Sequence, residues 1–185
     1  MKTVGVLALQ GDFEAHRKAL ERAGARAVEV RTAEQLDACD GLIIPGGEST
    51  TMLKLLDIEK MTDAVRGFGA RKPIYGTCAG AILLAHEVTR PAQTSLDLMD
   101  ISVERNGYGR QIDSRIAKVS ASDGGEFEAV FIRAPIIRKV GEGARVLASY
   151  QGDPVWVEDG RHMVTTFHPE LTEDDRVHRR FVGKL

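Results

Sequence analysis

The sequence has few cysteines, few aromatic residues and no excess of charge of one sign. Its only two cysteines, Cys39 and Cys78, are too few for a disulfide framework and have no zinc-binding spacing. We therefore expect a reducing compartment, the cytoplasm, and no metal site. A formal net charge of -2 gives no general reason to expect binding to nucleic acid or to an anionic membrane.

Several longer features are also missing. The sequence has no apolar run of membrane-spanning length, no internal repeat, no low-complexity segment and no linker rich in proline, glycine and serine. The N-terminal apolar run is too short for a signal peptide and is typical of a first strand. With 43% hydrophobic and 28% charged residues, the composition is that of an ordinary globular protein. We expect one domain over residues 1–185.

The first half of the chain alternates between short apolar runs and amphipathic segments. Strands are predicted at 4–9, 27–30, 41–44 and 73–77, with helices at 13–23, 33–38, 52–56, 60–70 and 79–85. Asp12 is expected to cap the first of these helices, and Ser49 or Thr50 the third. This βα alternation indicates a parallel sheet with helices on both faces.

The second half is richer in strands. We expect a loop at 88–95, a strand with one solvated face at 99–103 and a polar turn at 105–111. A hairpin at 155–164, a last strand at 164–167 and a terminal helix at 173–182 capped by Thr172 complete the prediction. The fold class is therefore α/β, a three-layer sandwich with a mostly parallel central sheet, helices on both faces and an antiparallel extension.

The most informative stretch is Gly-Thr-Cys-Ala-Gly at 76–80, placed between a strand and a helix. This is the layout of a nucleophile elbow with cysteine as the nucleophile. The first amides of the following helix favour a thiolate and can hold an oxyanion. Alternatively, Cys78 is a small buried residue at a strand end.

A cysteine nucleophile needs a base, and the base needs an acceptor that orients it. His168 and Glu170 are the candidates, because alternate residues of an extended segment point the same way. The alternative is a surface histidine beside a capping glutamate. Cys39 is interpreted as a structural residue. The other four histidines are interpreted as exposed or packed residues without a catalytic role: His16, His86, His162 and His178.

A third motif, Pro-Gly-Gly-Glu-Ser at 45–49, follows a predicted strand. Open α/β sheets bind ligands at the carboxyl ends of their strands, where paired glycines let the backbone approach a ligand. An ordinary turn is the alternative. Because the three motifs all lie at strand ends, we expect them to converge on one edge of the sheet.

Taken together, these motifs resemble the class I (triad) glutamine amidotransferases, and most of all the glutaminase subunits of pyridoxal 5'-phosphate synthases. The resemblance spans nearly the whole chain in order. Its segments are 5–13, 43–52, 76–80, Arg105-Asn106 with 109–111, 131–135 and 167–172.

The resemblance implies a role for each matching residue. Cys78 is the nucleophile that forms a glutamyl thioester, His168 the acid and base, and Glu170 its orienting partner. The amides of Gly47 and Ala79 form the oxyanion hole. The residues implied to hold L-glutamine are Gly46, Gly47, Glu48, Arg105, Ile132 and Arg133. Taken alone, Arg105 and Arg133 are better explained as solvated surface charges than as ligands of a substrate. No cofactor and no metal are implied.

The resemblance also implies a partner, a (β/α)8-barrel synthase subunit of pyridoxal 5'-phosphate synthase, with twelve copies of each chain. It further implies that ammonia passes between the subunits, that partner binding completes the oxyanion hole, and that residues 10–12 and the Pro45 loop lie near the contact with the partner. Two alternatives stay open. In the first alternative, the chain is the glutaminase of another synthase, such as imidazole glycerol phosphate synthase. In the second, it is a non-catalytic subunit with the same fold.

Overall fold

A computed structural model describes residues 1–106 and 114–185. Within these residues the strands are β1 Thr3–Leu7, β2 Arg26–Val30, β3 Gly41–Ile44, β4 Ile74–Thr77, β5 Ala85–Thr89, β6 Met99–Glu104, β7 Ser114–Ala121, β8 Glu126–Ile132, β9 Ile136–Val140, β10 Ala144–Tyr150, β11 Asp153–Asp159 and β12 Met163–Thr165. The helices are α1 Phe13–Arg22, α2 Ala33–Asp37, α3 Ser49–Ile58, α4 Thr62–Gly69, α5 Ala79–Leu84 and α6 Arg176–Val182. The predicted turn at 105–111 falls outside the described residues from position 107 onward.

One large sheet organises the molecule, in the strand order β2-β1-β3-β4-β12-β11-β10-β7-β8. The five strands from β2 to β12 pair in parallel. The remaining neighbours pair antiparallel, including the predicted hairpin of β11 and β12. The predicted mostly parallel sheet with an antiparallel extension is confirmed.

Successive residues of the central strands enter two different cores. In β3, Leu42 and Ile44 face the core that contains helices α3, α4 and α5. Ile43 faces the opposite core, which contains residues of α1 and α6. Strands buried on both faces are continuous apolar runs, which explains the sequence of β3. The expected helices on both faces are therefore present.

A second sheet, in the order β5-β6-β9, differs from the prediction. The first strand of this sheet, β5, overlaps the predicted loop at 88–95, and the prediction contained one central sheet only. In β6, Asp100 is exposed as expected from the alternating polarity, but Ser102 and Glu104 are buried. Both have partners: Ser102 donates to Glu87, 2.7 Å from its Oε2, and Glu104 accepts from Arg138. The predicted solvated face is therefore present at only one of its three polar positions.

Two predicted helix starts are wrong. Glu48, rather than Ser49 or Thr50, caps α3, with its carboxylate accepting from the amides of Thr50 and Thr51. At the C-terminus, the hydroxyl of Thr172 donates to the Pro169 carbonyl and so closes a 3-10 turn, Pro169–Leu171. The terminal helix begins only at Arg176. By contrast, Asp12 caps α1 as expected, accepting from the Ala15 amide at 3.2 Å.

The α6 face of the sheet offers a test of packing. Phe181 is fully buried and its ring centroid lies 5.7 Å from that of Tyr75 in β4. We expect Phe181→Ala to lower the free energy of unfolding by about 3–5 kcal/mol, since it leaves a cavity under the central strands. The measurement is equilibrium unfolding in urea. The control is Ile58→Ala, at an exposed position of α3, which should change stability by less than about 0.5 kcal/mol. Equal effects of the two changes would contradict this packing.

Candidate functional site

The turn between β4 and α5 has the geometry of a nucleophile elbow. Cys78 joins the two elements with φ 52° and ψ -102°, a conformation that costs energy in a residue other than glycine. Its backbone amide donates to the Thr165 carbonyl of β12 at 2.8 Å. The elbow is thus anchored to the neighbouring strand while the side chain stays close to the surface.

Two glycines make this turn possible. A Cβ on Gly76 would collide with the backbone of Gly80 in the following helix. A Cβ on Gly80 would collide with the Ile44 carbonyl at the end of β3. Both sides of Cys78 are therefore crowded, because β3, β4 and α5 approach one another without intervening side chains.

The parallel pairing of β12 with β4 delivers the candidate base. Thr165 lies opposite Thr77 in the register, so the residues that follow both strands leave the sheet at the same edge. His168 is held there by its amide, which donates to the Val130 carbonyl at 2.8 Å. Its imidazole interacts with the Cys78 side chain, as expected for residues that follow neighbouring parallel strands.

Glu170 contacts the other side of the imidazole. Its Oε1 lies 2.6 Å from Nδ1 of His168, and both side chains are buried. The predicted proximity is present, but the predicted extended backbone is not. Glu170 lies within the 3-10 turn that Pro169 begins, and this turn brings the carboxylate back to the imidazole.

These contacts set the charges of the site. Burial alone would lower the pKa of His168, but hydrogen bonds to Cys78 and Glu170, together with the negative charge of Glu170, raise it to about 10. Burial would raise the pKa of Glu170, but His16 and His168 keep it below the usual value. The arrangement is therefore an imidazolium and a carboxylate at neutral pH, with a proton ready for a leaving group at His168.

The loop after β3 forms the opposite wall. Gly46 lies directly against the His168 ring and the Cβ of Cys78, with no space for a side chain. Gly47 has φ +149° and lies against the side-chain oxygen of Gln10. That oxygen also accepts from the Glu48 amide at 2.9 Å. Gln10 thus holds the loop backbone in its present position.

Glu48 and Arg105 contact each other at the rim. Nη2 of Arg105 lies 3.4 Å from the Glu48 carboxylate and 3.1 Å from the Thr50 hydroxyl. Burial alone would raise the pKa of Glu48, but the hydrogen bonds that its carboxylate accepts from Thr51 and Thr50 together lower it to about 2. Glu48 is thus ionised, and its carboxylate serves mainly as the N-cap of α3.

All the predicted site residues line one cleft of about 530 Å³, a volume typical of small-molecule sites. They are Gly46, Gly47, Glu48, Cys78, Ala79, Arg105, Ile132, Arg133, His168 and Glu170. Ala79 is the first residue of α5, so its amide has no acceptor within the helix. Arg133 has φ 43° just after β8, and the Ile132 carbonyl lies 4.0 Å from the Cys78 sulfur.

Two functional candidates were missed by the sequence interpretation. His16 and His178, expected to be exposed or packed, are both fully buried, with His16 beside Glu170 and His178 beside His16. Neither lies in a recognisable motif, so their sequence carried no signal. Cys39 is buried and donates to the Gln35 carbonyl, in keeping with a structural role.

The described residues contain no group of three or more histidine, cysteine, aspartate or glutamate side chains placed to hold a metal ion. Across the same ranges, none of the helices has the length and apolarity needed to span a membrane.

Comparison with known proteins identifies the family. The model of the SNO glutamine amidotransferase family matches residues 6–185. The chain belongs to the SNO glutamine amidotransferase family.

Relatives within this family match end to end. A protein named pyridoxal 5'-phosphate synthase subunit PdxT from Solibacter usitatus (strain Ellin6076) is 64% identical, with both chains covered in full. A protein of the same name from Koribacter versatilis (strain Ellin345) is 55% identical over 97% of this chain and 93% of its own. A crystal structure titled as a glutamine amidotransferase has 47% identity and a TM-score of 0.91, covering 98% of this chain and 97% of its own.

The crowding at the elbow gives a test in this family member. Gly80→Ala should lower both stability and the reactivity of Cys78 towards iodoacetamide, since the new methyl group would push α5 away from the Ile44 carbonyl. Thermal unfolding and the alkylation rate measure the two effects. The matched control is Gly67→Ala in α4, where an added Cβ has no atom within contact distance. This substitution should increase the free energy of unfolding by about 0.5–1 kcal/mol, because alanine favours the helix more than glycine does. Similar effects of both substitutions would contradict the close approach.

Proposed function

We propose that this chain is the glutaminase subunit of a pyridoxal 5'-phosphate synthase. It hydrolyses L-glutamine to L-glutamate and ammonia and delivers the ammonia to a synthase partner. The observation that carries the proposal is the convergence of Cys78, His168 and Glu170 in one cleft. The 64% identity to a relative of that name supports the assignment of the synthase.

The chemistry follows from the charge state of the site. The Cys78 thiolate adds to the side-chain amide carbon of glutamine and forms a tetrahedral oxyanion. Its collapse breaks the C–N bond, and the His168 imidazolium gives its proton to the departing ammonia. The product at this stage is a glutamyl thioester with a neutral His168.

Hydrolysis of the thioester uses the same groups in reverse. Neutral His168 removes a proton from water as the oxygen adds to the thioester carbon. Collapse of this second tetrahedral species breaks the C–S bond and restores the thiolate and the imidazolium. Glutamate leaves after losing a proton to solvent. Glu170 keeps Nδ1 of His168 protonated, so that Nε2 is the nitrogen that exchanges the proton.

The surrounding residues have complementary tasks. We assign the oxyanion hole to the amides of Gly47 and Ala79. We assign Arg105 to the α-carboxylate of glutamine and acceptors at the rim of the cleft to its ammonium group. The residues assigned to the substrate are Gly46, Gly47, Glu48, Arg105, Ile132 and Arg133.

The finer points of the proposal rest on the family resemblance. They are a single domain over residues 1–185, a (β/α)8-barrel partner present in twelve copies with twelve of this chain, direct transfer of ammonia between the two, and a cytoplasmic location. Assembly of all three triad groups in one cleft argues against a non-catalytic subunit. The names of the relatives argue against another synthase.

The first test replaces the nucleophile. In a complex with the synthase subunit, Cys78→Ala should abolish release of ammonia from glutamine, since no thioester can form. Added ammonium salt should restore synthase turnover, because the partner then needs no glutamine. The matched control is Cys39→Ala, which removes the other buried cysteine and should keep glutaminase activity. Appreciable ammonia release by the Cys78→Ala complex would show that another group is the nucleophile.

The second test concerns the orienting carboxylate. Glu170→Gln should lower kcat for glutamine by about 100-fold to 10,000-fold, because an amide stabilises neither the imidazolium nor the required tautomer. The measurement is steady-state ammonia release in the complex, with ammonium-driven turnover as the control for assembly. A rate close to that of the unchanged protein would assign the orienting role to another residue.

A further inference from the structure

Two buried histidines lie behind the candidate triad. His16 comes from α1 and His178 from α6, and neither is exposed. Nδ1 of His16 lies 3.0 Å from Nε2 of His178. On its other side, Nε2 of His16 lies 3.6 Å from Oε2 of Glu170, the oxygen that does not contact His168. The four side chains therefore form a continuous row that ends at the Cys78 sulfur.

The row leaves specific atoms without other partners. Among the described residues, Oε2 of Glu170, Nε2 of His16 and Nδ1 of His178 are buried and have no conventional hydrogen bond. A buried carboxylate oxygen without a donor is costly. Nε2 of His16 is the atom that faces this oxygen, at a distance that a small side-chain movement closes to a hydrogen bond.

The positions of the protons follow from these contacts. Both histidines are neutral, since burial lowers the pKa of His16 and lowers that of His178 to about 3. If His178 donates from Nε2 to Nδ1 of His16, then His16 carries its own proton on Nε2, facing Glu170. The reverse order would point a lone pair of His16 at a carboxylate oxygen and bury the Nδ1 proton of His178 without an acceptor. Only the first arrangement is electrostatically favourable.

We propose that His16, fixed in its Nε2-protonated form by His178, is a positioning residue that holds the second oxygen of Glu170. This deepens the proposed function and rests on it. With Oε2 held by His16, Oε1 stays directed at Nδ1 of His168. The donor also keeps the carboxylate ionised in a buried environment, which in turn stabilises the imidazolium of His168.

Other charged groups reach this row from each neighbouring element. Burial and the nearby His168 lower the pKa of His16, and this lowering outweighs the opposing effects of Glu170 and of Asp12 at the start of α1. Arg22, at the end of α1, contributes to lowering the pKa of His178. On β4, the Tyr75 ring meets both imidazoles edge-on, with centroids 6.1 Å away. Burial raises the pKa of Tyr75, so the phenol stays neutral.

The first experiment reads the tautomers directly in the unchanged protein. Long-range ¹H–¹⁵N NMR correlations should show His16 and His178 as neutral rings protonated on Nε2 at pH 7. A proton on Nδ1 of His16 would overturn the proposal, because Nε2 could not then donate to Glu170. This measurement needs neither a partner nor glutaminase activity, so it stands even if the proposed function fails.

The second experiment removes the donor. In a Cys39→Ala background, so that only Cys78 reacts, the rate of alkylation by iodoacetamide is measured against pH. In this pH profile of the alkylation rate, the acid limb is the fall in rate at low pH. His16→Leu should shift the acid limb upward by about one pH unit, because Glu170 without its donor takes up a proton at higher pH. In the synthase complex, kcat should fall by about 10-fold to 100-fold with KM for glutamine nearly unchanged.

Two further variants separate positioning from general packing. His16→Gln places an amide N–H near the position of Nε2 and should restore the acid limb and most of kcat. His162→Leu removes another buried histidine, which accepts from the Ile74 amide away from the row, and should leave both readouts unchanged. An unshifted limb in His16→Leu, or no advantage of His16→Gln over it, would overturn the proposal. Absence of ammonia release from the unchanged complex would instead overturn the proposed function.

Discussion

The hydrogen bond from the Cys78 amide to the Thr165 carbonyl joins the two strands on which the candidate site depends. β4 ends in the elbow, and β12 leads to His168. Because the two strands pair in parallel, their carboxyl ends emerge side by side. Sulfur and imidazole meet through backbone register, so neither needs a long flexible side chain to reach the other.

A buried carboxylate is the second constraint. Glu170 lies in the interior, where an ion without partners would cost several kcal/mol. His168 satisfies one of its oxygens, and the neutral histidine pair of α1 and α6 faces the other. Since those two helices also cover one face of the sheet, the packing of that face and the ionisation of the site are linked.

The sequence was most informative where local chemistry decides the structure. The elbow, the β3 strand and the cap at Asp12 could be predicted because their signals lie within a few residues. The Glu48 cap was missed since serine and threonine beside it were equally suitable candidates. The 3-10 turn after His168 was missed because the same short segment can be extended or turned, and contacts with α1 decide between them.

Long-range contacts account for the larger gaps. His16 and His178 lie 162 residues apart in the chain, and the sequence near each one indicated only an exposed or packed histidine, not a contact between the two. The second sheet was missed because Ser102 and Glu104 are polar, and only the fold shows the partners that allow their burial. Predicting either feature requires knowing which elements pack together.

The position of β12 has a consequence for the order in which the molecule is completed. It is the last described strand along the chain, but it lies inside the sheet, between β4 and β11. During synthesis from the N-terminus, the elbow emerges while the adjoining edge of β4 still lacks its neighbour. The chain therefore contains Cys78 long before it contains His168, the proposed base. Under the proposed mechanism, an unfinished polypeptide does not release ammonia, because His168 reaches the site only after β12 is inserted into the sheet.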